Sequence, residues 1–88
     1  MKFQEFTKAV LENMREYLGQ EYEVELQQVR KNNDVLLYGL TIHSKVSNIV
    51  PTIYLESFYE LYKNNVPLEK IANKIYDIYQ ESLPKENI

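Results

Sequence analysis

Cysteine is absent from this sequence. No disulfide can staple the chain, and no thiolate can serve as nucleophile or metal ligand. That suits a reducing compartment, and a cytoplasmic location is the expectation. His43 is the single imidazole, which denies the chain a multi-histidine metal site. Gly19 and Gly39 stand far apart, so there is no glycine-rich loop of the kind that cradles phosphate. No run approaches the roughly 20 apolar residues of a membrane span. The opening "MKFQEFTKAVLENMREYLG" carries charges throughout and lacks the apolar stretch of a signal peptide. The formal charge is -3, with no basic stripe of the sort that binds nucleic acid. Neither a nucleic acid nor a membrane is an expected partner, and no cofactor is expected.

What is present is a chain of 88 residues, 44% apolar and 26% charged. That composition is globular rather than disordered. A domain of this size buries only about 60–65% of its unfolded surface, so its core is thin. A single α+β domain over residues 1–83 is expected, with 84–88 as a frayed tail after Pro84.

From Phe3 to Leu18, the apolar positions Phe3, Phe6, Val10, Met14, Tyr17 and Leu18 recur at three-and-four spacing, which predicts a helix. Gly19 directly after them is its stop. The period then changes to two. Tyr22, Val24 and Leu26 alternate with Glu23, Glu25 and Gln27, the pattern of a half-buried strand. Val35–Ile42 supplies a second strand, with "RKNND" as the turn between them.

Two registers compete. A two-residue turn at Asn32-Asn33 pairs Lys31 with Asp34 and sets Val24 and Leu26 against Thr41 and Gly39. A three-residue loop, Asn32–Asp34, pairs Val24 with Ile42 and Leu26 with Leu40. One residue of slip moves every side chain to the other face, so the second register, or an equivalent bulge near Gln28, is preferred.

"IVPTIYL" reads as a third strand, at a sheet edge or with Pro51 at its start, because proline cannot donate to a ladder. "ESFYELYKNN" reads as a short helix with Phe58, Leu61 and Tyr62 on one face. A last helix over 67–82 carries the stripe Leu68, Ile71, Ala72, Ile75, Ile78 and Tyr79. The expected architecture is α+β: an N-terminal helix, a three-stranded antiparallel meander, and two C-terminal helices, with helices on one sheet face.

The runs "GLTI" (39–42), "NIVPTIYLESFYELY" (48–62) and "PLEKIANKIYDIY" (67–79), with the opening "FQEF", resemble an uncharacterised family of Firmicutes proteins, many from gut species. That family is a domain of unknown function, so the resemblance implies relatives and no mechanism. Its members continue past the segment matching the last helix, which implies that this chain either is a short member or corresponds to their N-terminal part.

Chemistry-bearing residues are few. His43 ends the second strand with Ser44 and Ser47 nearby, but neither serine lies on a nucleophile turn, and a surface histidine is the better reading. Glu21, Glu23 and Glu25 alternate along the first strand. A flat strand does not converge oxygens as Ca²⁺ requires, so a solvated face is preferred. No catalytic, cofactor-binding or metal-binding residue is assigned, and an enzyme is not expected.

Tyrosine, eight in number, is the abundant feature. Tyr38, Tyr62 and Tyr79 fall on core faces, whereas Tyr54, Tyr59 and Tyr76 do not fit the buried stripes. In the preferred register Val24, Leu26, Leu36, Tyr38, Leu40 and Ile42 face the helices. Val29, Val35 and Leu37 point the other way, beside Tyr54, and form a candidate partner-binding patch. The expectation is a small non-catalytic interaction module, of regulatory or inhibitory kind, that binds a protein or itself. The alternative is the N-terminal piece of a longer enzyme or ligand-binding protein whose active residues lie beyond residue 88.

Overall fold

Helix α1 spans Phe3–Leu18 in a computed structural model that describes residues 1–30 and 34–83. The expected turn pair Asn32-Asn33, Lys31 and the expected tail 84–88 lie outside the described residues. α1 buries Phe6, Thr7, Val10 and Met14. Thr7 enters this stripe by turning its hydroxyl back to donate to the Gln4 carbonyl at 2.8 Å, which satisfies it without a distant partner. The helix ends at Gly19, whose φ of 78° and ψ of -166° are open to glycine alone.

Strands β1 (Tyr22–Arg30) and β2 (Leu36–Ser44) pair antiparallel, with Val24 opposite Ile42 and Leu26 opposite Leu40. This is the register of the three-residue loop, and Asp34 contributes a positive φ of 57° to that connection. β3 (Thr52–Tyr54) pairs antiparallel with β2, so the sheet order is β1-β2-β3 and both outer strands are edges. Pro51 stands immediately before β3, where its missing N–H costs the ladder nothing.

α2 (Glu56–Lys63) and α3 (Leu68–Ser82) follow. Asn65 closes α2 with a φ of 70°, and the N–H groups of Asn65 and Val66 donate back to the carbonyls of Tyr62 and Leu61 at 3.0 Å each. Asparagine here does the work usually given to glycine at a helix end. Pro67 precedes α3 and its carbonyl accepts the Ile71 N–H at 3.1 Å.

All three helices lie on one face of the sheet. Between them and Val24, Leu40, Ile42 and Ile53 sits one apolar core to which Phe6, Met14, Leu55, Ile71, Ile75 and Tyr79 contribute fully or almost fully buried side chains.

Five positions depart from the periodic reading. Tyr17 and Ile78, placed on the buried stripes, are 51% and 41% exposed. A helix stripe wider than its contact leaves its flanks in solvent, and Tyr17 instead meets the ring of Tyr76 edge-on at 5.5 Å. Leu36 keeps its inward parity but is 41% exposed, because it lies at the end of the sheet. Conversely, Tyr59 and Tyr76, read as outside the stripes, pack against the core. Tyr59 meets Phe3 edge-on at 5.1 Å and Phe6 at a tilt at 5.2 Å, and its hydroxyl donates to the Met1 carbonyl at 2.8 Å. A thin core recruits the flanks of its helices, and tyrosine suits that border because its ring packs while its hydroxyl stays wet.

Candidate functional site

Pairing parity divides the sheet into two faces. Away from the helices stand Glu23, Glu25, Gln27 and Val29 of β1, opposite His43, Thr41, Gly39 and Leu37 of β2. Thr52 and Tyr54 of β3 complete this outer face, opposite Thr41 and Gly39.

Its composition is graded along the strands. The end at Glu23, Glu25 and His43 is charged or titratable. At the other end Val29 lies directly opposite Leu37, and Tyr54 is the diagonal neighbour of Leu37 across β2–β3. Val29, Leu37 and Tyr54 are each half-buried, while Val35 is 51% exposed and precedes β2. Three of the four expected patch residues are therefore adjacent on the ladder, and Val35 borders them from the connecting loop.

Gly39 shapes the patch. A Cβ built there would come within 2.6 Å of Thr52 Cγ2 and 3.7 Å of the Tyr54 ring. Glycine thus lets the neighbouring strand's side chains lie down over β2.

The start of β2 is held by Glu56. The Leu55 N–H donates to the Tyr38 carbonyl at 2.9 Å, and the Tyr38 N–H donates to Glu56 Oε2 at 2.8 Å. The carboxylate takes the place of the next ladder acceptor after β3 has ended. Gln28 donates to the Tyr38 hydroxyl at 3.1 Å, and the Tyr38 ring meets Phe3 edge-on at 5.3 Å. Leu37 is thereby presented from a strand fixed on both sides. Nothing local in the sequence marks Glu56 for this role, since its partner lies eighteen residues away.

The remaining candidates do not assemble into a reaction centre. His43 is on the outer face with Nδ1 at 4.0 Å from Glu23 Oε2, both side chains well exposed. Ser44 is buried on the other side, since adjacent strand residues point to opposite faces. Its Oγ accepts the Val46 N–H at 3.2 Å, and Ser47 Oγ accepts the Ile49 N–H at 3.2 Å. Both serines are occupied as turn acceptors. Among the described residues, no group of three His, Asp or Glu is placed to hold a metal ion.

Two depressions of the described surface bear on charged or titratable groups. One of about 580 Å³ is lined by Tyr62, Lys63, Asn65 and Val66. Lys63 there donates to Glu60 at 2.9 Å, and that hydrogen bond raises the ammonium above the ordinary lysine range. The other, of about 320 Å³, is lined by Tyr22, Ser44, Lys45 and Val46. Tyr79 lies against Tyr22 at 6.1 Å, its hydroxyl buried with no hydrogen-bond partner among the described residues. Burial, and secondarily the neighbouring Tyr22, pushes the Tyr79 phenol above its ordinary range. Among the described residues no helix is long and apolar enough to cross a membrane.

Fold and surface together define a small α+β domain with helices on one sheet face and none of the described helices on the other. The chain belongs to the Family of unknown function (DUF5688), whose model it matches over residues 3–88. No curated protein and no solved structure matches it.

Proposed function

We propose that this chain is a small, non-catalytic, cytoplasmic interaction domain that binds a protein partner on its outer sheet face, as a regulator or inhibitor would. Val29, Leu37 and Tyr54 form the contact, with Val35 at its border. One observation carries the reading: an apolar cluster occupies a sheet face on which no helix of the described chain packs. A solvated sheet face is ordinarily polar, and apolar clusters with polar surroundings mark interaction sites. Tyr54 supplies a large rigid surface with a polar tip, the kind of residue enriched where proteins meet.

The test compares two baits in lysate of the source cells, the wild type and Leu37→Lys, with Glu12→Lys on α1 as a control. Partners captured by the wild type and the control but not by Leu37→Lys support the reading. Equal capture by all three removes the outer face from it.

A further inference from the structure

Among the described residues, β1 is the longest edge the sheet leaves open. It covers Tyr22–Arg30 and is paired on one side only, with β2. In an antiparallel ladder each residue's N–H and C=O point together to one side, alternating along the strand. Just before β1, the Glu21 carbonyl accepts from the Lys45 N–H just past the end of β2, so odd-numbered residues of β1 address β2. Even-numbered residues address the open edge. The Val24 carbonyl confirms that parity, because it accepts a hydrogen bond from Arg15 Nε at 3.2 Å, from the side opposite β2.

The midpoint of β1 is Leu26, an even-numbered residue. A two-fold axis there would pair Tyr22 with Arg30, Val24 with Gln28 and Leu26 with Leu26 of a second copy. The outward backbone groups of the strand would find partners together, apart from the Val24 carbonyl that Arg15 already holds. Charge counts against the neighbouring register at Val24. Glu21, Glu23 and Glu25 crowd the first half of the segment and Arg30 ends it. With the axis at Leu26, Glu23 faces Val29 and Glu25 faces Gln27, so no two carboxylates are opposed. Shifting the axis to Val24 would set Glu23 against Glu25, which is repulsive. The tyrosine ring of residue 22 would also receive the Arg30 guanidinium of the other copy. Leu26 is half-buried at the border of the core, on the helix side, and would meet its own copy.

We infer that two copies of this chain join antiparallel through their β1 edges about an axis at Leu26, making one sheet continuous across both. Main-chain pairing supplies the attraction and the charge pattern disfavours the register at Val24. Such an interface is small, so the dimer is a weak one, populated at high protein concentration. Arg15 tempers it by holding one outward carbonyl. The inference does not rest on the outer-face reading, which concerns a different surface and partner.

Sedimentation of the wild type over a concentration series is expected to show dimer. Gln28→Pro removes an N–H that faces the open edge, spares the β1–β2 ladder, and should abolish dimer while Leu37→Lys keeps it. Single cysteines in this cysteine-free chain read the register. Leu26→Cys should cross-link rapidly with a short bismaleimide, since paired Cα atoms lie about 5.5 Å apart. Gln28→Cys should not, because its copies would be offset by roughly 13 Å along the strands. If Gln28→Pro proves unfolded, the cysteine pair decides alone. A monomer at about 1 mM, equal cross-linking at both positions, or a dimer lost in Leu37→Lys but kept in folded Gln28→Pro would overturn the proposal. That last result would leave the outer-face reading standing.

Discussion

Leu37 and Leu40 are near neighbours on β2 and meet opposite environments. Leu40 is fully buried beneath the helices, opposite Leu26 on one side and Ile53 on the other. Leu37 is half-buried on the face that no described helix covers, opposite Val29. The chemistry of the two side chains is identical, and only strand parity separates them. The helix face is therefore where stability resides. On the proposed reading, the half-buried apolar residues of the outer face contribute less to the fold and serve the contact with a partner.

The comparison is broken most severely by a lesion on the covered side. Ile75 is fully buried at the centre of the α3 stripe. Ile75→Ala should cost about 2–5 kcal/mol in urea unfolding, from lost transfer free energy and the cavity left behind. In so small a domain that is a large share of the total. A loss below about 1 kcal/mol would mean that the core lies elsewhere.

Glu56 sharpens the boundary between the faces. Removing its carboxylate in Glu56→Ala leaves the part-buried Tyr38 N–H without its acceptor, at a cost of about 1–3 kcal/mol. Glu56→Gln keeps an acceptor oxygen and should lose distinctly less. Equal losses for the two variants would show that the hydrogen bond does not hold β2.

Tyr79 gives a smaller effect with a pH signature. Its folded-state pKa is raised, mainly by burial, so the unfolded chain ionises first, near 10. The stabilisation is fully present below about pH 10 and falls as pH rises toward the folded-state value, because the native state then binds more protons than the unfolded one. Tyr22 acts in the same direction, again chiefly through burial. Tyr79→Phe should change stability by less than about 1 kcal/mol at neutral pH, because the hydroxyl it removes has no hydrogen-bond partner among the described residues. Its melting temperature should decline less steeply than the wild type's above pH 10. Parallel declines would contradict the assignment.

Much of this was legible in the sequence, for identifiable reasons. The three-and-four spacing from Phe3 and the glycine at 19 set the limits of α1. The parity of Val24, Leu26, Leu40 and Ile42 chose the hairpin register, because only one register puts them on the same side. That parity also placed Val29 beside Leu37. Periodicity was less informative at the flanks of the helices. Tyr17 and Ile78 fall on the stripes yet reach solvent, while Tyr59 and Tyr76 fall off them and pack. A helical wheel does not know the width of the surface it meets. Glu56 was illegible altogether, since a carboxylate completing a strand ladder depends on a meeting of Tyr38 and Glu56 that no local pattern announces.

The smallest expected effect on stability bears most directly on the division between the faces. Leu37→Lys should melt within a few degrees of the wild type, a loss of less than about 1 kcal/mol, because a lysine stem can cover the same apolar neighbours while its ammonium reaches water. The same preparation should fail to capture the partner that the wild-type bait retains. A variant that unfolds, with a loss approaching that of Ile75→Ala, would place Leu37 in the core and contradict the account.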